Sequence, residues 1–553
     1  MSKYTLLAAL LVAVSQAATA QVDAGSQIRQ LPPPPEQPAA APDFNIEPRP
    51  VELDTDPAGP AVQVEVLHIT GNTLFSEPEL IAASGFTPGG SLTLAELRRL
   101  AARVSTFYNE NGYFLTQAYL PPQEIATGSV TIAIVEAHYG EVAIANTSNL
   151  HDGVARGLLG GLNRGDDVAS APLERRLLLL SDLPGVVVHS TLAPGSAVGT
   201  SDLNVAIEPG RRVTGSVEAD NGGNRYTGTY RFGGTVNLNN AAGLGDQLSL
   251  RVLASTSDLA FGRISYQVPV GALTVGVAYS HLKYGLGREF SSLDADGTAD
   301  IASLYTSYPL VRSRDANLYA LGSLDANWFT DKVGLFSTRS DKRSQTATLG
   351  LAGEARDDLG GGGWTSGSIG WVIGNLDIRT PLELAEDAVS ARSDGGFNVL
   401  QLALSRQQTV AGPLSIYGSA RGQIAFDNLD SSEKMELGGA YGVRAYPEGE
   451  AFGDEGYIAT GEVRLMLDSV TGALPGRLQV FGLIDYGEVD YAHEPWLLGP
   501  NSTHRSAYGG GLAWFAPDNL ILRGTYATRL GDEPVTSQPD RAGRAWFQIV
   551  KLF

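Results

Sequence analysis

The sequence has no cysteine among its 553 residues, which excludes disulfide bonds, thiol catalysis and cysteine-based metal sites. Its seven histidines show neither the H-E-x-x-H pattern nor another close spacing typical of a metal site. The G-x-S-x-G motif of serine hydrolases is missing, and the glycines at 360–363 lack the Lys-Ser or Lys-Thr of a phosphate-binding loop. We therefore expect no cofactor, no metal and no enzymatic activity.

Long apolar runs are also missing beyond the N-terminus. No later stretch approaches the ~20 apolar residues that a membrane-spanning helix needs. Only helices and closed β-barrels satisfy every backbone polar group in lipid, so a barrel is the remaining option for a chain embedded in a membrane.

The net charge is −21 and no basic patch stands out. Because phosphate binding requires clustered Lys and Arg, we expect no nucleic acid partner.

The N-terminus carries an export signal over residues 1–20. Lys3 precedes a short apolar run at 6–14, and small residues follow as far as Ala20. A basic start, a short apolar stretch and an A-x-A site are typical of a secretory signal peptide, here cleaved after Ala20. A membrane anchor is the alternative reading, but the run is too short to span a bilayer.

Residues 21–61 combine a short helix with a proline-rich linker. The helix is predicted over residues 23–31, and prolines then recur from Pro32 to Pro60. A segment of this composition does not fold on itself and is typical of a semi-extended spacer.

From Val62 the pattern becomes mixed α and β, and the same order of elements occurs twice. We predict two β-α-α-β-β modules, at residues 62–139 and 140–210, which form an internal structural repeat. The predicted elements of the first module are a strand at 62–70, helices at 76–83 and 93–108, and strands at 114–120 and 129–135. Those of the second are a strand at 141–145, helices at 153–162 and 173–183, and strands at 186–192 and 202–207.

From residue 211 to Phe553 the helical period disappears and apolar residues alternate with polar ones. The clearest segments are 400–405, 414–426 and 461–468. Strands of about ten residues with one apolar and one polar face are what a transmembrane barrel needs, with lipid outside and water inside. At about 21 residues per strand and connection, the segment accommodates roughly sixteen antiparallel strands. A soluble β-sandwich is the alternative, but it rarely carries polar residues along so many full strands.

The order of these parts resembles a known family, the outer-membrane transporters of two-partner secretion (TpsB, the haemolysin-secretion/activation group). Three segments in sequence carry the resemblance at the start of the barrel, at residues 220–228, 239–248 and 265–271. The resemblance covers nearly the whole mature chain and implies that the two modules are POTRA domains. The implied fold is α+β POTRA repeats followed by an all-β transmembrane barrel of sixteen antiparallel strands.

Two further motifs resemble the signature of the superfamily. The segment at 438–447 is similar to the V-R-G-Y/F motif at the tip of a loop folded back into the barrel, which assigns a role to Gly442, Val443, Arg444 and Tyr446. Ala445 stands where the family usually has glycine, so the backbone of the loop tip is expected to differ.

The second motif, at 483–487, resembles F-x-D-x-G of the barrel wall and assigns Asp485 and Gly487, with Leu483 in place of phenylalanine. The resemblance implies that Arg444 pairs with Asp485. Strand alternation supports this independently, since Asp485 faces the lumen if Ile484 faces lipid. The structural alternative is a solvated loop arginine and an ordinary lumen carboxylate.

The C-terminal Phe553 is similar to the signal that the barrel-assembly machinery reads during biogenesis, although Lys551 occupies a position that is usually hydrophobic or aromatic. The resemblance therefore implies insertion into the outer membrane of a Gram-negative bacterium, with the POTRA domains in the periplasm. The implied partners are outer-membrane lipid, the barrel-assembly machinery and a secreted TpsA-like exoprotein.

The implied function is secretion of an unfolded exoprotein through the barrel without nucleotide hydrolysis. The exoprotein is expected to pair a strand with an edge of the modules, and the lumen loop and the helix at 23–31 are expected to occupy the lumen at rest. Two alternatives stay open. An assembly factor for other outer-membrane proteins belongs to the same superfamily but usually has more than two modules, and an enzyme or passive pore would leave the modules unexplained.

Overall fold

The computed structural model describes residues 23–35, 43–46, 60–125, 128–468, 475–496 and 498–553. The expected signal peptide and most of the proline-rich linker lie outside these residues. The chain divides into two compact units: residues 39–211 with 242–245 form one, and the rest forms the other. No helix among the described residues is long and apolar enough to cross a membrane.

The first module contains two small sheets and two helices. In the three-stranded sheet, β6 lies between β3, which is parallel to it, and β5, which is antiparallel; β2 and β4 pair separately. The elements are β2 Val62–Val64, β3 Val66–Thr70, α2 Glu77–Ser84, β4 Gly90–Leu92, α3 Leu94–Glu110, β5 Gln117–Tyr119 and β6 Ser129–Val135.

Helix α3 shows why the sequence pattern was informative in this module. Thr93 and Glu96 form a reciprocal capping box, in which the Thr93 N–H donates to Glu96 Oε2 at 2.7 Å. One face of this helix is apolar and buried, and it includes Leu97, Val104 and Tyr108. A strong cap and a regular apolar stripe therefore place the helix within two residues of its predicted end.

The second module forms a four-stranded sheet, in the order Asp43–Ile46 (β1), Val186–Pro194 (β8), Thr200–Pro209 (β9) and His138–Asn146 (β7). Strand β9 is parallel to β7 and antiparallel to β8. The elements are β7 His138–Asn146, α4 Asp152–Leu158, α5 Ser170–Ser181, β8 Val186–Pro194 and β9 Thr200–Pro209.

Strand β1, Asp43–Ile46, comes from the linker and was not expected from the sequence. It runs parallel to β8, with Asp43 opposite His189 and Ile46 opposite Leu192. A short extended segment has no fold of its own, but the unpaired N–H and C=O groups of an edge strand offer it partners. The outer edge of β8 is thus occupied by the chain itself.

Several predicted boundaries in the modules shift for local reasons. Strand β5 is only three residues long because Tyr113 and Thr116 form a turn before it and Pro121 follows it. Helix α4 ends four residues early, since Gly161 follows with a φ of +93°. Helix α5 starts at Ser170, before the predicted start at residue 173, because Pro172 is tolerated in the first turn of a helix.

The remainder of the chain confirms the predicted barrel of sixteen antiparallel strands, closed by the pairing of β10 with β27. Gly215 and Phe553 exchange two backbone hydrogen bonds of 3.0 Å, which extend this closing pair. The wall strands are β10 Val213–Asp220, β11 Arg231–Asn239, β12 Gln247–Ser255, β13 Ala260–Val270, β14 Leu273–Gly285, β15 Ala295–Arg312, β16 Ala316–Val333, β17 Thr338–Asp357, β18 Gly363–Ile378, β19 Gly395–Ala411, β20 Leu414–Ala425, β23 Glu455–Asp468, β24 Arg477–Asp490, β25 Ser502–Ala516, β26 Leu520–Arg529 and β27 Gly543–Leu552.

Alternate residues of each wall strand face opposite sides. In β24, Val480 and Ile484 are 37% and 52% exposed on the outside, whereas Asp485 is 1% exposed on the inside. Leu402, Ile416 and other apolar residues are likewise exposed on the outer surface. An apolar outer band and a polar interior are the arrangement required for a barrel in lipid.

This unit also contains helix α1 Ala24–Arg29, helix α6 Pro381–Asp387 between β18 and β19, and an antiparallel pair of short strands, β21 Met435–Glu436 and β22 Phe452–Gly453. We call the end of the barrel where β10 starts and β27 finishes the proximal end, and the opposite one the distal end. The β16–β17, β18–β19 and β20–β23 connections lie at the distal end.

Candidate functional site

The connection between β20 and β23, residues 426–454, folds back into the barrel, and we call it the lumen loop. Residues 442–451 are all buried, although they belong to a connection more than twenty residues long. Their neighbours are inward-facing side chains of the wall. The candidate site is the place where the tip of this loop meets β23, β24 and β27.

Arg444 at the loop tip is bound to Asp485 of β24. Its Nε donates to Asp485 Oδ2 at 2.9 Å, and its Nη2 donates to Oδ1 at 2.7 Å. The backbone N–H of Arg444 donates to Oδ2 at 3.2 Å, and the hydroxyl of Thr460 in β23 donates to Oδ1 at 2.9 Å. The two charged residues are 6% and 1% exposed. This is a bidentate, buried ion pair in which the carboxylate receives four hydrogen bonds.

A second carboxylate, Glu462 of β23, accepts from the remaining arm of the guanidinium. Arg444 Nη1 donates to Glu462 Oε1 at 2.6 Å. The other oxygen, Oε2, accepts from Arg464 Nε at 2.8 Å, and Arg523 Nη2 lies 3.4 Å from Oε1. The arginine is therefore fixed in one orientation by two wall carboxylates, while other wall arginines balance Glu462.

At the two motif glycines, the loop approaches itself and the wall closely. A Cβ on Gly442 would lie 2.2 Å from the carbonyl oxygens of Leu437 and Gly438. A Cβ on Gly487 would lie 2.9 Å from Leu437 Cδ2. A side chain at Gly442 would therefore displace the backbone of the loop, whereas one at Gly487 would require the Leu437 methyl group to shift.

Apolar residues surround the ion pair. Val443, Ala445 and Tyr446 have no exposed surface, and they belong to a cluster with Phe481 and Leu483 of β24. The two departures from the family motifs, Ala445 and Leu483, thus lie in one apolar cluster. Each places apolar atoms in this cluster, which excludes water from the neighbouring ion pair.

Further hydrogen bonds attach the loop to the last strands of the barrel. Trp546 Nε1 of β27 donates to the carbonyl oxygen of Arg444 at 2.7 Å. Glu450, which is fully buried, accepts from Arg505 Nη2 at 2.6 Å and from the hydroxyl of Ser537 at 2.7 Å. The loop is therefore held at two places about six residues apart.

Helix α1 also lies within the barrel, and we call it the lumen helix. Thr227 donates its hydroxyl to Gln27 Oε1 at 2.8 Å, and Arg231 Nη1 donates to the carbonyl oxygen of Gln30 at 2.9 Å. Among its neighbours are the inward faces of β14, β15 and β16. The helix is thus surrounded by wall strands from several parts of the barrel.

The lumen helix contacts the lumen loop directly. Arg29 Nη2 donates to Glu433 Oε2 at 2.6 Å, and its Nε donates to the carbonyl oxygen of Ser432 at 2.5 Å. Near the other end of the helix, the hydroxyl of Ser431 donates to Asp23. The loop segment 431–433 therefore runs along the helix.

The structure brings together all the site residues that the sequence assigned to the loop and to β24. Phe553 lies elsewhere, at the closing pair of strands. Sequence reasoning did not assign Glu462 or Trp546, although Glu462 lies on the polar face of a strand recognised by its alternation. Thr460 stands directly opposite Asp485, so Glu462 is two residues along the neighbouring strand. Among the described residues, no group of three or more His, Asp or Glu side chains is arranged to hold a metal ion.

Comparison with known families gives two matches. Residues 199–499 match the family described as haemolysin secretion/activation protein ShlB/FhaC/HecB, and residues 62–137 match the ShlB-type POTRA domain.

Among curated relatives, the heme/hemopexin transporter protein HuxB of Haemophilus influenzae (strain 86-028NP) is 28% identical, and the alignment covers 97% of this chain and 96% of that protein. The outer membrane transporter CdiB of Dickeya dadantii (strain 3937) is 23% identical, over 86% of this chain and 88% of that protein. Among solved structures, CdiB from Escherichia coli aligns with a TM-score of 0.71 at 20% identity and covers 91% of this chain and 93% of that one.

Proposed function

The chain belongs to the haemolysin secretion/activation protein family ShlB/FhaC/HecB, and from this premise we propose that it binds an unfolded partner exoprotein in the periplasm and secretes it through its barrel without nucleotide hydrolysis. The protein is an outer-membrane β-barrel transporter whose POTRA domains are periplasmic. Members of the family secrete partner proteins. The proposal concerns the state of the partner, its path and the source of energy.

The observation that carries the proposal is that the chain itself fills the lumen. Besides their apolar contacts, the lumen helix and the lumen loop both form hydrogen bonds and ion pairs with inward-facing polar groups of the wall. When the lumen helix and the lumen loop move, water or a polar polypeptide could replace them as hydrogen-bond partners of the wall. We propose that the pair of Arg444 and Asp485 holds the loop in the resting state.

The second module offers a place for an extended partner segment to bind. Strand β8 has nine residues, and its outer edge accepts β1 in parallel. The corresponding edge strand of the first module, β5, has three residues and is followed by proline. An edge that pairs with one extended segment can pair with another through the same backbone groups. We propose β8 as the strand on which the exoprotein pairs, in exchange for β1.

Secretion in a reconstituted host tests the proposal. The protein is co-expressed with the exoprotein encoded nearest to its gene, and the medium is assayed for the exoprotein. Four chains are compared: wild type, Arg444→Ala, a deletion of 62–210, and Arg339→Ala as a control that removes an arginine of an exposed ion pair.

We expect export with the wild type and with Arg339→Ala, and none with the other two chains although they reach the outer membrane. The proposal is wrong if the wild type exports nothing while the assembly of other outer-membrane proteins changes. That outcome would favour an assembly factor. Because HuxB is a heme/hemopexin transporter, a secreted protein that handles haem or hemopexin is the first class of exoprotein to try.

A further inference from the structure

The N-terminus of the lumen helix is held near the distal end of the barrel by groups from different elements. The Ala24 N–H donates to Asp331 Oδ1 of β16 at 2.9 Å, and the hydroxyl of Tyr284 in β14 donates to the same oxygen at 2.6 Å. Asp23, the N-cap of the helix, accepts from Ser431 of the lumen loop. Two carboxylates therefore meet at this end of the helix, inside the wall.

Lys342 of β17 supplies a positive charge at this place. Its Nζ lies 2.8 Å from Asp430 Oδ2, 3.1 Å from Glu383 Oε1 and 4.0 Å from Asp23 Oδ2. The lysine side chain is only 13% exposed. Asp23 precedes the lumen helix, Asp430 belongs to the lumen loop, and Glu383 lies in α6. One ammonium group thus contacts three segments that are far apart in the sequence.

We propose that Lys342 is the positioning residue that holds the lumen helix, the lumen loop and the β18–β19 connection together, so that loss of its charge opens the barrel. Without the ammonium, Asp23, Asp430 and Glu383 would face one another as like charges in a poorly hydrated site. Repulsion and desolvation then both oppose the docked arrangement. Only the helix and the two distal connections are free to move away, because the wall strands are fixed by their ladders.

The inference rests on the proposed movement of the lumen helix, and its test is independent of secretion. The chain has no cysteine, so Ser26→Cys provides a single thiol on the helix. Ser26 is 1% exposed, and the thiol is expected to be protected from a membrane-impermeant maleimide while the helix is docked. The full-length protein is reconstituted in planar bilayers and in liposomes, and conductance and labelling rate are measured in the same Ser26→Cys background.

We expect Lys342→Met to raise the labelling rate at least about tenfold, since one partner of a buried ion network is lost, and to raise the conductance. Lys342→Arg should restore both values towards those of the parent. The double variant Lys342→Met/Asp23→Asn should recover part of the protection, because asparagine also caps a helix but carries no charge. The matched control is Arg339→Met, which removes a charge from the same strand at a side chain that is 59% exposed.

Parental labelling and conductance in Lys342→Met would overturn the inference, and so would equal changes in the Arg339→Met control. Folding of each barrel is checked by its heat-dependent mobility on a gel. If Lys342→Met does not assemble, Lys342→Gln is used in its place. Parental labelling and conductance, or changes equal to those of the control, would then overturn the inference in the same way. A negative result would leave the proposed secretion function untouched, since no exoprotein takes part in the assay.

Discussion

Replacement of Arg444 by alanine should release the tip of the lumen loop from the wall. The substitution removes both side-chain hydrogen bonds to Asp485 and the one to Glu462. Glu462 keeps Arg464 and Arg523 as partners. Asp485 keeps only the Thr460 hydroxyl and the backbone N–H of residue 444 among its described hydrogen bonds. The substitution therefore leaves mainly the Asp485 carboxylate without a charged partner.

The magnitude follows from that imbalance. Leaving one member of a buried ion pair without its partner costs about 3 kcal/mol. Such a loss raises the population of the undocked loop by roughly two orders of magnitude. Removal of Asp485 together with Arg444 should be less harmful than the sum of the two single changes, since no charge is left behind. We expect a coupling energy of about 2 kcal/mol in this double-mutant cycle.

Limited proteolysis of the folded barrel measures the undocked population, provided that the loop opens and closes faster than it is cut. Cleavage within 437–452 is followed by mass spectrometry in wild type, Arg444→Ala, Asp485→Ala and the double variant. Arg339→Ala is the control, because an exposed ion pair contributes less than about 1 kcal/mol. Equal cleavage rates in wild type and Arg444→Ala, or strictly additive single changes, would refute the account of the ion pair.

Three further predictions concern separate contacts. Gly442→Ala should undock the loop tip, since its Cβ would lie 2.2 Å from two carbonyl oxygens, whereas Gly418→Ala has open space and should leave proteolysis unchanged. Trp546→Phe removes one hydrogen bond to the loop and should weaken docking of the loop by about 1 kcal/mol. We therefore expect the cleavage rate to rise several-fold, and an unchanged rate would contradict this prediction. In the first module, burial favours the neutral form of Glu136, but hydrogen bonds from Thr73, Leu74 and Tyr108 outweigh it and lower the pKa of Glu136 below its ordinary 4.5. The ionised form therefore stabilises the fold above that value, and the contribution is lost as the pH falls through the lower folded pKa. Pulse proteolysis in urea should show that Glu136→Gln lowers the free energy of unfolding by about 2 kcal/mol at pH 7 and by less in acid. An equal decrease at both pH values would contradict this prediction.

Local periodicity explains how much of the fold could be predicted. Alternation along a strand is visible in the sequence, so the barrel and the inward face of Asp485 follow from it, whereas the number of strands follows from the length of the segment. The capping box of Thr93 and Glu96 is likewise local. The role of Glu462 required the register between β23 and β24, which no single segment encodes.

Long-range partners explain what could not be predicted. Strand β1 forms because an unfilled edge of β8 exists more than 140 residues later in the chain. Lys342 looks like any other lumen charge in its strand, and its partners at 23, 383 and 430 are brought together only by closure of the barrel. The proline-rich composition predicts an extended linker, of which the structure describes the extended segment Asp43–Ile46, but composition does not identify the edge with which that segment pairs.

The contact of Arg29 with Ser432 and Glu433 has a thermodynamic consequence. Binding free energies between two coupled parts are reciprocal, so the lumen helix stabilises the docked loop by the same amount as the loop stabilises the docked helix. A ligand that draws the helix away therefore loosens the loop without contacting Arg444. Conversely, a substitution at Arg444 lowers the work needed to extract the helix. The docking of either segment therefore changes the stability of the other through their direct contact.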